Sequence, residues 1–299
     1  MLKLIEKLCG ACGPSGAEDA VKDIIKEEIS GLGEVQEDAL GNLILHRPGA
    51  EESVMFVAHM DEEGFLITHV EQDGTLRFAG DFDAKQSANA PVVLENGVRG
   101  ILRGKGEKLA DWHIDIGAKD QKMAESMADV GMMGGFDSAF FVQGTRIFGK
   151  ALASRISCAV LINLAKQDSS QDRYFAFCVQ ENLGQRGSYV LTHQKQPGVV
   201  IAVGSAPNCK LGKGAGIKVR DKSGTTHHQV RNHLKQVAQK MGIDHQMDIS
   251  ETGGIAALQN SGILAGAIGI PMRHLNTPVQ CADQADIEAC AKLLRAIYH

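Results

Sequence analysis

The sequence predicts an α/β fold in which a domain with a central sheet and flanking helices is interrupted by an inserted β-rich segment. Residues 1–65 and 150–299 alternate apolar runs of strand length with amphipathic stretches of helix length. Residues 66–149 instead contain short alternating segments, many glycines and turn signals such as Asp73-Gly74. The chain has 299 residues, of which 43% are apolar, so it can bury the sizeable core that this fold needs.

The first part of the chain predicts one helix and two strands. Ser15 followed by Glu18 matches the capping-box pattern and precedes apolar residues at helical spacing, so we expect a helix over residues 15–32. Extended segments are predicted at 41–45 and 54–58. The second of these is a continuous apolar run, which is typical of a strand buried on both faces.

After residue 150 helices and strands alternate. Helices are predicted near 155–167, 227–241 and 283–298, and strands near 174–180, 199–203 and 264–270. In open α/β sheets, ligands bind outside the carboxyl ends of the strands, so the residues that follow the predicted strands are site candidates. They are His59-Met60-Asp61-Glu62, Glu181-Asn182, Gly204-Ser205 and Arg273-His274-Leu275-Asn276.

Composition and charge exclude two classes of partner. The chain carries 31 Lys and Arg against 36 Asp and Glu, a formal net charge of −5, and has no basic block, so nucleic acid is not an expected partner. The longest uncharged apolar stretch, residues 262–271, is about half of the roughly 20 residues that span a bilayer, so no membrane association is expected.

The N-terminus and the cysteines predict a cytoplasmic location. Glu6 and Lys7 interrupt the apolar region that a signal peptide would need, so the first ten residues read as an amphipathic helix. Seven cysteines are an odd number without paired spacing, and reduced thiols are expected. His227, His228 and His233 do not form a pair at helical ligand spacing and are expected on a solvated face.

The His-x-Asp pattern at the end of the buried strand suits a metal site. His59 could ligate a metal while Asp61 orients its ring. The same pattern is also common at polar strand ends, so by itself it leaves both interpretations open.

Seven ordered blocks give the chain a specific resemblance. They are Gly13-Pro14-Ser15-Gly16-x-Glu18, Asp38-x-x-Gly41-Asn42-Leu43, Ala58-His59-x-Asp61-Glu62-x-Gly64-Phe65, Ile116-Gly117-Ala118-Lys119-Asp120, Val179-Gln180-Glu181-x-x-Gly184-x-Arg186-Gly187, Leu211-Gly212-Lys213-Gly214 and Pro271-x-Arg273. Throughout its length the chain resembles the glutamyl or deblocking aminopeptidases, a family of large self-compartmentalising metallo-aminopeptidases. The resemblance implies an α/β sandwich domain of residues 1–65 and 150–299, an inserted β-barrel dimerisation domain of residues 66–149, and a homo-oligomer, either a dimer or a dodecamer.

The resemblance also implies a site with two metal ions, usually zinc or cobalt, and identifies what this sequence retains of it. His59 occupies the position of the first histidine ligand, Asp61 that of its orienting partner and Glu181 that of the general base. The other four ligand positions are occupied by Ala153, Asn182, Gly204 and Asn276. Alanine and glycine offer no donor side chain, and an asparagine oxygen is a weak substitute for a carboxylate.

These changes predict a homologue without a metal cofactor that is catalytically inactive and acts as a peptide-binding, regulatory or assembly subunit. Two alternatives keep a hydrolase. One uses a single zinc or cobalt ion held by His59, Glu181 and His274; the other is a metal-free enzyme with Cys158 as nucleophile. Four further residues are candidates for the pocket by the resemblance or by their neighbours: Arg155, Lys213, Arg273 and His274.

Overall fold

The computed structural model describes residues 1–80, 82–106, 108–251 and 253–297. The helices are α1 (Leu2–Gly10), α2 (Asp19–Ile29), α3 (Gln121–Glu125), α4 (Leu152–Ala165), α5 (Arg186–Gln194), α6 (His228–Lys240), α7 (Ile255–Gln259) and α8 (Gln284–Ala296). The predicted helices of the second half are α4, α6 and α8, with ends that differ by up to three residues from the predicted ones, and residue 298 lies outside the described residues.

The strands follow in chain order. They are β1 (Glu34–Glu37), β2 (Leu43–Arg47), β3 (Val54–His59), β4 (Gly64–Val70), β5 (Leu76–Gly80), β6 (Pro91–Leu94), β7 (Arg99–Gly104), β8 (Trp112–Asp115), β9 (Met133–Phe136), β10 (Phe141–Gln143), β11 (Arg146–Gly149), β12 (Arg173–Cys178), β13 (Val199–Ala206), β14 (Ala215–Arg220), β15 (His245–Ile249), β16 (Leu264–Arg273) and β17 (Gln280–Asp283).

Within the described residues, eleven strands form one large mixed sheet. Its path runs β1-β2-β12-β3-β13-β16-β17-β11-β10, and β14 joins β16 on one side and β15 on the other. The central strands β12, β3, β13 and β16 are parallel neighbours, and β3 is buried along most of its length. Their continuous apolar runs fit strands covered on both faces by helices. The carboxyl ends of these parallel strands therefore meet at one edge of the sheet.

The remaining strands close into an antiparallel barrel in the order β4-β5-β8-β7-β6-β9, with an apolar interior of its own. The predicted α/β fold with an inserted β-barrel is thus confirmed. Strands β10 and β11 fall within the predicted insertion, residues 66–149, but pair with β17 in the large sheet. β10 has only three residues and is exposed along its length.

Helix α4 is buried on nearly all sides, as its apolar composition requires, and lies against β3, α1, α2 and α8. It begins close to the point where the chain returns from the barrel, so it brings Ala153 to the carboxyl edge of the sheet. Within the described residues, no helix is both long enough and apolar enough to cross a membrane.

A buried cluster of charges lies where the chain enters and leaves the barrel. Oε1 of Glu62 is 2.9 Å from Nζ of Lys150 and 3.3 Å from Nη2 of Arg155, and it accepts the N–H of Gly13 at 2.8 Å. All three charged side chains are almost fully buried. Because an unpaired buried charge is costly, this cluster fixes the barrel strands to the sheet domain.

Candidate active-site cleft

The carboxyl ends of the parallel strands surround a cleft of about 360 Å³. The register places Cys178 of β12 beside His59 of β3, so the residues that follow these two strands are neighbours. Six residues at the positions that the resemblance assigns to metal ligands or to the general base line this one cleft: His59, Ala153, Glu181, Asn182, Gly204 and Asn276. They come from five segments that are distant in sequence, and the fold brings these residues together.

His59 is held by a buried carboxylate. Its Nδ1 lies 3.0 Å from Oδ1 of Asp61, while Oδ2 of Asp61 accepts the hydroxyl of Ser15 at 2.6 Å and the N–H of Asn182 at 2.9 Å. This arrangement leaves Nε2 of His59 as the ring nitrogen available to the cleft. Asp61 itself is fully buried and positions the imidazole from behind.

The charges of this pair favour an ionised Asp61 beside a basic imidazole. Burial acts to lower the pKa of His59, but the hydrogen bond to Asp61 and the negative charges of Asp61 and Glu181 outweigh it, so its pKa is raised. Burial acts to raise the pKa of Asp61, yet the hydrogen bonds from His59, Ser15 and the Asn182 N–H hold it below its usual value.

The predicted capping box at Ser15 and Glu18 is wrong. Helix α2 begins at Asp19, and neither side chain caps it: Ser15 donates to Asp61, and Glu18 accepts the N–H groups of Gly16 and Gln180 at 3.0 and 2.8 Å. The two residues therefore contact the segments that carry His59 and Glu181 and hold them in place. The spacing that signals a local cap also suits hydrogen bonds to distant segments, which spacing alone does not reveal.

Glu181 lies in the segment between β12 and α5 and lines the cleft. Its Oε1 accepts the N–H of Ser188 at 2.7 Å. Burial raises the pKa of Glu181 to about 7, although the neighbouring His59 and the bond from Ser188 act to lower it. A carboxyl group with this pKa exchanges a proton near neutral pH, which is the property of a general acid or base.

Unusual backbone angles cluster around the cleft. Six described non-glycine residues have a positive φ, and only Asn89 of these lies in the barrel. The others are Ala151, Gln180, Gln185, His274 and Asn276, with φ between 52° and 60°. They flank Ala153, Glu181 and the loop after β16. Such angles cost energy for residues with a Cβ and concentrate at functional sites, where the surrounding structure holds them.

Comparison with known proteins then identifies the family. The family model described as M42 glutamyl aminopeptidase matches residues 41–293. The chain belongs to the M42 glutamyl aminopeptidase family. A putative aminopeptidase of Acetivibrio thermocellus is 35% identical to it, over 98% of this chain and 97% of the relative. The resemblance seen in the sequence is therefore confirmed.

Solved structures show the same fold. The aminopeptidase APDkam598 from the archaeon Desulfurococcus kamchatkensis matches with a TM-score of 0.94 at 28% identity, covering 99% of this chain and 93% of that one. The TET1 peptidase of Pyrococcus horikoshii matches with a TM-score of 0.92 at 28% identity, covering 99% and 98%. The latter is described as able to assemble into a tetrahedron or a large octahedral shell.

The four positions that the resemblance assigns to the missing ligands, Ala153, Asn182, Gly204 and Asn276, all line the cleft. Ala153 stands near the start of α4, where its N–H donates to Gln280, and Gly204 stands in β13 with open space where a Cβ would be. Across the described parts of the chain, no three His, Cys, Asp or Glu side chains converge as a metal ion would require. This donor set does not fit a dinuclear centre, which needs bridging and terminal carboxylates or imidazoles.

Four other residues predicted for the M42 pocket lie elsewhere. Arg155 is fully buried, pairing with Glu62 and donating to the carbonyl oxygen of Met60. Lys213 is exposed in a turn whose flanking glycine N–H groups donate to Asp286 at 2.7 Å. Arg273 and His274 are exposed and are not among the described lining residues. The mononuclear site of His59, Glu181 and His274 is therefore not assembled.

Cys158 does not face the imidazole of His59. Its Sγ lies 3.2 Å from the carbonyl oxygen of His59, and the side chain is completely buried in α4. Burial raises the pKa of Cys158 to about 12, so the thiolate that a nucleophile needs does not form near neutral pH. The geometry gives no support to Cys158 as a nucleophile.

Several residues of the cleft were not selected from the sequence. They are Glu63, Lys218, Asp221, Lys222 and Glu251. Lys218 is buried in β14, with Nζ 2.8 Å from Oδ2 of Asp248 on the paired strand β15 and 2.8 Å from the hydroxyl of Ser250. A lysine that follows the apolar residues 215–217 of β14 was the signal in the sequence that pointed to a buried ion pair here.

Proposed function

We propose that this M42 homologue is catalytically inactive as an aminopeptidase and acts as a peptide-binding, regulatory or assembly subunit. The observation that carries the proposal is the position of Ala153, Asn182, Gly204 and Asn276. All four line the cleft beside His59 and Glu181, at the positions that the family resemblance assigns to metal ligands. None of them supplies a carboxylate, an imidazole or a thiolate, so a dinuclear centre has no ligands to bridge its ions.

The electrostatics of the cleft support a site adapted to the loss of its metals. Carboxylates that surround two dications repel one another and resist burial once the dications are removed. The three positions that the resemblance assigns to carboxylates carry the neutral residues Ala153, Asn182 and Gly204, while the charge of the retained Asp61 is stabilised by three hydrogen bonds. Glu181 has a pKa of about 7 and so carries only part of a charge at neutral pH.

The shape and lining of the cleft support a retained binding role. Its volume of about 360 Å³ lies within the range of small-molecule and peptide-terminus sites. Basic Lys222 and acidic Asp221 and Glu251 line the same cleft, so both charged ends of a short peptide would find complementary groups. The positive φ values around the cleft support the same role, since unused strain is costly to keep.

We also propose that the protein is a cytoplasmic homo-oligomer without a metal cofactor. All seven cysteines are free, which suits a reducing compartment. Assembly is supported by the likeness to the TET1 peptidase of Pyrococcus horikoshii and by the barrel, which matches the dimerisation domain implied by the resemblance. Light scattering tests the assembly, and a monomer mass at micromolar concentration would contradict it.

Hydrolysis of chromogenic aminoacyl substrates tests the loss of activity. We expect no turnover by the wild-type protein, with or without added zinc or cobalt, and no difference between the wild type and Glu181→Gln. A related active M42 aminopeptidase serves as the positive control. Turnover that Glu181→Gln abolishes would show that the site is still catalytic and would overturn the proposal.

A further inference from the structure

Glu63 lines the cleft at the carboxyl ends of the parallel strands and was not selected from the sequence. It occupies the variable position between Glu62 and Gly64 in the block that resembles the family, so the resemblance gives it no role. Its side chain is half-buried and bonds to its own N–H, and no other described residue donates a hydrogen bond to it. The cleft therefore contains a carboxylate that has capacity for a ligand.

Glu181 is a second carboxylate of this kind in the same cleft. Among the described residues, its hydrogen bonds come from Ser188 alone, although a carboxylate can accept about four. Both Glu63 and Glu181 lie close enough to His59 for their negative charges to raise its pKa. Burial also raises the pKa of Glu63, because desolvation outweighs the attraction of His59. The two carboxylates thus lie near one imidazole and are both partly withdrawn from water.

The other charged groups around the cleft already have partners. His59 is paired with Asp61, and Lys218 with Asp248. Asp221 accepts hydrogen bonds from its own loop and from the start of α7. The remaining charged residues of the described lining have opposite signs and are exposed: Lys222 and Glu251. Glu63 and Glu181 therefore leave the cleft with a negative charge that no described cation offsets.

A small apolar face of the sheet lies beside these carboxylates. Val57 and His59 are alternate residues of β3 and so share a face of the sheet. Ala202 of β13 pairs with Val57, and Gly204 lies two residues further along the same strand. A Cβ on Gly204 would meet no atom within 4 Å. All four residues line the cleft, which therefore has room for an aliphatic group beside His59.

We propose that Glu63 and Glu181 together bind a primary ammonium group directly, with no metal ion between ligand and protein, and that the apolar face takes the aliphatic group of the same ligand. An ammonium group donates three hydrogen bonds and offsets the negative charge, and charge-assisted bonds of this kind are about twice as strong as neutral ones. An anion would instead be repelled by both carboxylates.

The ammonium group belongs either to the N-terminus of a peptide or to a small aliphatic amine. The inference rests on the proposed absence of a metal centre, because two metal ions would occupy the same end of the cleft. It assigns a role to Glu63, which has none in the resemblance, and it names the chemistry that the cleft recognises.

Isothermal titration calorimetry at pH 7, where α-amino groups are mostly protonated, tests the proposal with three probes. Leucinamide and isopentylamine carry the same aliphatic group and an ammonium group, whereas N-acetylleucinamide has no ammonium group and should bind about tenfold or more weakly than leucinamide. Tighter binding of leucinamide than of isopentylamine identifies a site for a peptide N-terminus. Equal or tighter binding of isopentylamine identifies a site for a small amine.

Two variants remove the proposed contacts one at a time. Glu63→Gln and Glu181→Gln should each weaken binding of the ammonium probes about tenfold or more, while the control Glu288→Gln, at an exposed position of α8, should bind as the wild type does. Glutamine keeps the size of glutamate and carries no charge to desolvate, so without a ligand Glu63→Gln should melt at the same temperature as the wild type or higher.

The titrations are made in EDTA, and the metal content of the same sample is measured before EDTA is added. The ammonium site is overturned if neither ammonium probe binds, if N-acetylleucinamide binds as tightly as leucinamide, or if either carboxylate variant binds as tightly as Glu288→Gln. A sample that holds two metal ions per chain contradicts the proposed function, whereas a metal-free sample that fails these tests contradicts the ammonium site alone.

Discussion

The Nδ1 atom of His59 lies 3.0 Å from Oδ1 of Asp61, and that carboxylate also accepts a hydroxyl from Ser15 and a backbone N–H from Asn182. The arrangement is that of a histidine oriented for metal ligation. Because Asp61 is fully buried and accepts hydrogen bonds from these three donors, the same arrangement bears on stability.

Asp61→Asn should therefore destabilise the protein by about 1 to 3 kcal/mol. The amide places a donor where the carboxylate accepted three hydrogen bonds, and it removes the charge that favours protonated His59. Denaturant unfolding with a single transition measures the change. The control Asp23→Asn, on the exposed face of α2, should alter the unfolding free energy by less than about 0.5 kcal/mol. Equal effects of the two substitutions would contradict the role given to Asp61.

Glu181→Gln should stabilise the protein at pH 8 but not at pH 5. Folding raises the pKa of Glu181 to about 7, so between its unfolded pKa and pH 7 the folded state binds more protons than the unfolded state. Stability from this group is therefore lost as the pH rises through that range, by at most about 3 kcal/mol. Because glutamine cannot ionise, Glu181→Gln does not lose this stability as the pH rises.

Melting temperatures of the wild type and Glu181→Gln at pH 5, 6, 7 and 8 measure this effect. The difference should grow with pH and level off above pH 7. The control Glu288→Gln, at an exposed position of α8, should show no such trend. A constant difference in melting temperature across the pH series would mean that ionisation of Glu181 does not destabilise the folded state.

The fold and the residues that line the cleft could be predicted from the sequence, because both depend on the apolar runs and on the residues that follow them. Apolar runs predicted β3 and β12, and strand ends predicted where His59 and Glu181 meet. His274 was predicted for the pocket because the residue lies two positions from Asn276, but the backbone turns between them with positive φ at both. Proximity along a chain does not fix the direction of a side chain in such a loop.

The other wrong predictions concern side chains whose contacts are with residues distant in sequence. Arg155 lies two residues from Ala153, yet its side chain pairs with the buried Glu62, which also pairs with Lys150. Ser15 was assigned to a local cap, whereas its hydroxyl bonds to Asp61, 46 positions away in the chain. Such contacts follow from tertiary packing, which no periodicity in the sequence encodes.

The combined variant Ala153→Asp, Asn182→Glu, Gly204→Asp and Asn276→His should regain metal binding. The four positions already line one cleft with His59, and a Cβ on Gly204 meets open space, so the added carboxylate fits there. Zinc or cobalt should raise the melting temperature of the combined variant by at least about 2 °C. Asn276 has a φ of 58°, so histidine at this position adds some backbone strain.

Each single variant is the matched control for the combined one. In the first three variants a lone carboxylate adds a charge near Asp61 and Glu181 without a cation, so it should lower stability, and none of the four single variants should respond to metal. A folded combined variant that does not respond to zinc or cobalt would mean that these side chains do not converge on a common point.

The metal content of the wild-type protein decides between a metal-free cleft and a dinuclear metal centre. The protein is produced with zinc or cobalt in the growth medium, desalted and analysed by inductively coupled plasma mass spectrometry, with an active M42 aminopeptidase treated in parallel. We predict fewer than about one tightly bound transition-metal ion per chain, because four of the ligand positions lack a competent donor. About two ions per chain surviving desalting, as a dinuclear hydrolase would hold them, would contradict the account.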